Sequence, residues 1–160
     1  MRTETPITKA GYDAVQEELN HLIKVEREEI KVAISEAREL GDLKENAEYH
    51  SAKEKQAIIE GRISQLQGVI AAAKVIDPST LNSDKVVFGA HVTLLDVEKD
   101  ETVTYQIVGD IESDFSKGKV SFQSPLGKAL IGKEEGDTVI VRAPKGDVEY
   151  EVDSVDFKAE

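Results

Sequence analysis

The chain has 160 residues, a formal net charge of −12 and an apolar content ordinary for a folded protein, which allows one or two small domains and argues against disorder. It contains no cysteine, so disulfides and thiolate zinc sites are excluded, and its three histidines show no ligand spacing. No apolar run reads as a membrane span or a signal-peptide h-region, which leads to the expectation of a cytoplasmic protein with no membrane partner.

The charge is uneven. Residues 1–76 carry 11 basic and 14 acidic side chains, a net of −3, whereas residues 77–160 carry 9 and 18, a net of −9. Gripping duplex DNA depends on neutralising phosphates, so a chain this acidic is a poor candidate for it. Any work on nucleic acid must be local or done through a partner.

Thr8 reads as an N-cap, with Pro6 disfavouring helix before it. Apolar residues then recur at Tyr12, Val15, Leu19 and Leu22, and again at Ile30, Ala33, Ala37 and Leu40. These steps of three and four mark a coiled-coil seam, which thins over residues 24–29. After a break, Ala52, Ile59, Ile63, Leu66, Ile70 and Ala73 repeat the spacing until Asp77-Pro78 stops it. Two long helices joined by a short turn must be antiparallel neighbours, and each arm should reach roughly 45–50 Å. Ala33, Ala37, Ala47 and Ala52 predict a close approach of the helices and a slim rod.

Beyond Pro78 the period changes to two. Val103, Tyr105 and Ile107 alternate with polar residues, residues 92–95 read as the preceding strand, and residues 98–101 as the turn between them. Residues 119–122, 138–142 and 148–155 complete a set of strands, the last two flanking a Pro144-Lys145-Gly146 turn. Ser124 reads as the cap of a short helix with Pro125 at its first position. The reading is α+β: a helical hairpin over residues 1–76, a linker over 77–83 and an antiparallel β domain with one short helix over 84–160.

The break itself is Gly41-Asp42-Leu43-Lys44-Glu45-Asn46-Ala47-Glu48-Tyr49. Gly41 suits a helix C-terminus, and Asp42 with Glu45 three residues on forms a capping-box-like pair. Those carboxylates therefore have two readings. They cap the second helix, or they face outward and share a divalent ion, an incomplete site needing ligands from elsewhere. Lys31, Arg38, Lys53 and Lys55 are likewise either a solvated face balanced by nearby glutamates or a contact for a phosphate chain.

The tip motif, the opening Pro6-Ile7-Thr8-Lys9-Ala10-Gly11-Tyr12 and the segment from Ser124 to Lys133 together resemble the Gre transcript-cleavage factor family of bacterial transcription. That resemblance implies an N-terminal coiled-coil hairpin and a C-terminal FKBP-like domain. It implies a partner, bacterial RNA polymerase, whose secondary channel the hairpin enters while the C-terminal domain docks at the rim through Ser124 and Pro125. Asp42 and Glu45 match the family's tip carboxylates, lent to the polymerase active centre to help hold a shared Mg2+ during cleavage of the nascent RNA 3′ end. Arg38 and Lys53 match its RNA-facing basic positions. The chain is then an accessory factor with no cofactor of its own, monomeric, meeting RNA and DNA only inside the elongation complex. A prolyl isomerase with a chaperone arm and an inhibitory channel-blocking factor are the alternatives. Too few aromatic residues to line a proline pocket argue against the first, and retention of Asp42 and Glu45 argues against the second.

Overall fold

The computed structural model describes residues 4–158. The chain divides into two units: one spans Asp13–Ala72, and the other joins the segment through Tyr12 to everything from Ala73 onward.

The helical unit is a hairpin. Its first arm is one continuous helix made of α1 (Lys9–His21), a π-helical turn (Leu22–Glu26) and α2 (Arg27–Arg38). Its second arm is α3 (Ala47–Ala72). The first arm starts where expected, because Thr8 Oγ1 accepts a hydrogen bond from the Gly11 N–H at 3.1 Å. Its buried seam is Val15, Leu22, Ile30, Ile34 and Ala37. Leu22 and Ile30 lie eight residues apart, one more than a heptad, and the wider π turn between them absorbs the extra residue and keeps both on the inner face. The expected seam positions Ala33 and Leu40 are exposed. Ile34 takes the inner position beside Ala33 because it withdraws more apolar surface from water.

On α3 the inner face is Ala52, Ile59, Ile63 and Leu66, the expected repeat. Of the four alanines expected to line the seam, Ala37 and Ala52 are buried and Ala33 and Ala47 are not. Two bidentate ion pairs tie the arms together at their flanks. Arg27 meets Glu60 at 2.8 and 3.0 Å, and Arg62 meets Glu18 at 2.7 and 2.9 Å.

In the second unit, β1 (Thr5–Thr8) pairs in parallel with β2 (Ala73–Ile76). This corrects the boundary expected from sequence, in which everything through residue 76 was hairpin. The helix stops at Ala72, and residues 73–76 leave it because they gain backbone partners across β1. The Glu112 carboxylate secures that segment, accepting from Thr8 N–H at 3.0 Å, from Gly109 N–H at 2.9 Å and from the Thr8 hydroxyl. The expected linker is also ordered, with Pro78 buried at the start of a 3₁₀ turn that Asp77 caps. The outermost residues of the expected domains, 1–3 and 159–160, lie outside the described residues.

The main sheet holds β3 (His91–Asp96), β4 (Glu101–Val108), β5 (Lys119–Ser121), β6 (Thr138–Ala143) and β7 (Gly146–Asp156), in the order β5-β4-β3-β7-β6. Three of its four pairings are antiparallel, but β5 runs parallel to β4. The chain between them makes two 3₁₀ turns, at Asp110–Glu112 and Phe115–Lys117, and so returns before pairing instead of closing a hairpin. One short helix, α4 (Pro125–Leu130), is capped by Ser124, whose Oγ accepts from Gly127 N–H at 3.1 Å. The sheet packs on Val86, Val92, Leu94, Ile107, Leu130 and Val152, none more than 1% exposed. A helical hairpin followed by a β domain with one small helix is the α+β fold expected, and an FKBP-like C-terminal domain is consistent with it.

Candidate functional site

The turn between the arms is a loop rather than a direct helix-to-helix step. Helical hydrogen bonding fades over Glu39, Leu40 and Gly41, and Gly41 takes φ +115°, a conformation that excludes ordinary side chains. The second helix begins at Ala47, four residues later than a cap at Asp42 would start it. Its cap is Asn46, whose Oδ1 accepts from Tyr49 N–H at 3.0 Å. Asp42 instead accepts from Lys44 N–H at 3.0 Å in a local turn within the loop. Glu45 has no hydrogen bond or ion pair among the described residues. The capping reading of Asp42 and Glu45 is therefore corrected, and so is their placement on one helix face.

Both carboxylates are exposed. Among the described residues no group of three or more histidine, aspartate or glutamate side chains is placed to hold a metal ion. Two hard carboxylates on an open loop suit a magnesium ion only as part of a larger ligand set.

Arg38 ends α2 with its guanidinium 5.8 Å from the centroid of the Tyr49 ring, a cation–π contact. Tyr49 in turn meets His50 edge-on at 5.7 Å. Lys53 points its Nζ to Gln56 Oε1 at 3.2 Å and stays exposed on α3. Asp42, Glu45 and Arg38 therefore share the tip, with Lys53 further along α3.

Two further residues, His50 and Asn46, shape the tip through contacts that the helical spacing does not assign. His50 Nε2 lies 3.1 Å from the Lys44 carbonyl; that oxygen can only accept, so Nε2 carries the proton. Asn46 also gives its Nδ2 to the Ala37 carbonyl at 2.6 Å. Its signal was present, since asparagine ranks with aspartate among N-cap residues.

Ser124 and Pro125 lie in the other unit, on an apolar pocket of about 480 Å³ lined also by Phe115, Leu126, Val141 and Tyr150. Phe115 is 68% exposed and stacks on Tyr105 at 5.4 Å. Burial pushes the Tyr150 phenol upward, and Asp96 adds to the shift, so it remains a protonated donor. Lys119 and Arg142 bring positive charge to the pocket lining of an otherwise acidic unit.

Two family models cover almost the whole chain: "Transcription elongation factor, N-terminal" over residues 5–75, and "Transcription elongation factor, GreA/GreB, C-term" over residues 81–157. The chain belongs to the GreA/GreB family of transcription elongation factors. The tip and its basic neighbours fall in the first GreA/GreB match, and Ser124 and Pro125 in the second. A relative from Acidiphilium cryptum (strain JF-5) named transcription elongation factor GreA is 57% identical over 152 residues, covering 95% of this chain and 97% of the relative. Its namesake from Pseudomonas aeruginosa is 55% identical, covering 92% of this chain and 94% of the relative. Among solved structures, the GreA factor homolog 1 protein of Thermus thermophilus is 28% identical with a TM-score of 0.44, covering 96% of this chain and 99% of that chain.

Proposed function

We propose that this GreA/GreB-family protein binds bacterial RNA polymerase, enters its secondary channel with the hairpin, and stimulates the polymerase's own cleavage of the nascent RNA 3′ end in backtracked complexes. It acts as an accessory factor; the bond is broken in the polymerase's active centre. One observation carries the reading. Asn46 caps α3, so Asp42 and Glu45 have no part in starting that helix, and both stand exposed on a loop at the end of a two-helix rod.

Asp42 and Glu45 are the residues that join a magnesium site completed by the polymerase. The ion supplies charge neutralisation at the phosphodiester when bound. Asp42 keeps one oxygen on the Lys44 N–H, which leaves the other free to face outward. Glu45 has both oxygens available among the described residues. Arg38 and Lys53 contribute positive charge toward the RNA, and the Tyr49 ring limits where the Arg38 guanidinium travels. Buried Ala37 and Ala52 let the arms approach closely near the tip, which suits entry into a channel. The pocket at Ser124 and Pro125 serves as the docking contact, with Phe115 as its exposed apolar edge.

The test adds the protein to a halted, backtracked elongation complex with magnesium and follows the release of short 3′ RNA fragments. Stimulated release supports the reading; a rate equal to that of polymerase alone overturns it. The apolar pocket by itself also favours a second reading, a prolyl isomerase. That reading stands or falls on turnover of a proline-containing peptide by the whole chain, because β1 and Thr8 belong to the same unit as the pocket.

A further inference from the structure

We propose that Asn46 is a positioning residue for Asp42 and Glu45, holding the tip loop in the form that presents them. The proposal rests on the cleavage-factor reading above. A single side-chain amide makes the cap and the brace together. Oδ1 accepts from Tyr49 N–H at 3.0 Å and opens α3, while Nδ2 donates to the Ala37 carbonyl at 2.6 Å in the last turn of α2. The partners fix the orientation of the amide, since a peptide N–H only donates and a carbonyl only accepts.

Nδ2 therefore bridges the two ends of the loop across nine residues. Ala37, whose carbonyl it holds, is only 3% exposed and belongs to the packed seam, so the brace is anchored on rigid structure. The same carbonyl also accepts from Leu40 N–H at 3.1 Å, where α2 ends. Inside the loop, Lys44 is held at both backbone groups, its N–H by Asp42 at 3.0 Å and its C=O by His50 at 3.1 Å. The brace at the base and the grip on Lys44 leave the segment from Asp42 to Glu45 few ways to move, although every residue in it is exposed. Charge-stabilising groups act in proportion to how well they are pre-positioned, and displacements of about 1 Å cost on the order of a hundredfold in rate.

Capping and bracing separate by substitution. Serine caps as well as asparagine but has no donor that reaches Ala37, so Asn46→Ser keeps the helix start and loses the brace. Alanine loses both. Two readouts on the full chain decide the matter: backbone 15N order parameters of residues 41–45, and cleavage in a backtracked complex at saturating and half-saturating factor.

Asn46→Ser should keep the wild-type helix content and lower the loop order parameters. It should also cut the saturating cleavage rate about tenfold while leaving the half-saturating concentration unchanged. Unaltered loop order in Asn46→Ser overturns the proposal whatever the polymerase does. Lowered order with a wild-type saturating rate also overturns it, because Asn46 would then order the loop without serving the carboxylates. If wild-type protein stimulates no cleavage, the functional reading fails, and with it the role assigned to the carboxylates; the order parameters still report whether Asn46 orders the loop.

Discussion

Asp42 places one carboxylate oxygen on the Lys44 N–H, and asparagine offers an oxygen in the same position. Asp42→Asn therefore removes the charge and leaves the loop turn intact. Stimulated cleavage should fall by about two orders of magnitude, the scale of losing one pre-positioned charge-stabilising group, with the melting temperature unchanged. Glu45→Gln should behave alike, since Glu45 makes no hydrogen bond or ion pair among the described residues. Normal cleavage by either variant in a backtracked-complex assay removes that residue from the mechanism. At this scale the sequence could be read for chemistry but not for division of labour. Asp42 and Asn46 are both strong N-cap residues four positions apart, and local propensity does not rank them. The choice falls to Asn46 because its amide reaches the Ala37 carbonyl, a contact between residues on opposite sides of the loop that no local pattern contains.

The elements were legible in proportion to how local their causes are. The α3 seam follows from its own spacing, and Ile59, Ile63 and Leu66 are buried as that spacing requires. The weak stretch over residues 24–29 was visible, but the π turn was not, because its only trace is the eight-residue step from Leu22 to Ile30. Strand β1 escaped notice because a four-residue segment containing Pro6 has no periodicity to read and depends on a partner far along the chain. The direction of β5 was hidden for the same reason. Within the hairpin, Ile63 is 2% exposed, so Ile63→Ala should cost about 3 kcal/mol, measured by thermal or denaturant unfolding. The Glu18–Arg62 pair carries a pH signature. The Arg62 guanidinium holds the Glu18 carboxyl below its ordinary value, so the unfolded chain binds the proton more readily. That contribution is present above the unfolded pKa, near 4.5, and is lost as pH falls through the lowered folded value. The pair is partly exposed, so the effect is small and screened by salt. Glu18→Gln should lower stability slightly at neutral pH and flatten the acid limb of stability against pH.

For the whole molecule, the proposed function divides between a docking surface and an acting tip, which predicts that the two separate kinetically. Phe115→Ala removes an exposed ring from the pocket edge and should raise the concentration needed for half-maximal cleavage about tenfold, leaving the saturating rate intact. Tip substitutions should do the reverse, and titrating both variants against one elongation complex compares them directly. The parallel pairing of β1 with β2 has its own consequence. Parallel strands need a long crossover, and here the crossover is the entire hairpin. Closing so long a loop from a disordered chain is slow, whereas helices that pair through neighbouring turns form early. This topology predicts that the hairpin delivers β1 to β2 as it closes. The Ile63→Ala variant should then refold more slowly at β1 as well as within the hairpin, so that a residue of the helical seam sets the pace at which the β unit is completed.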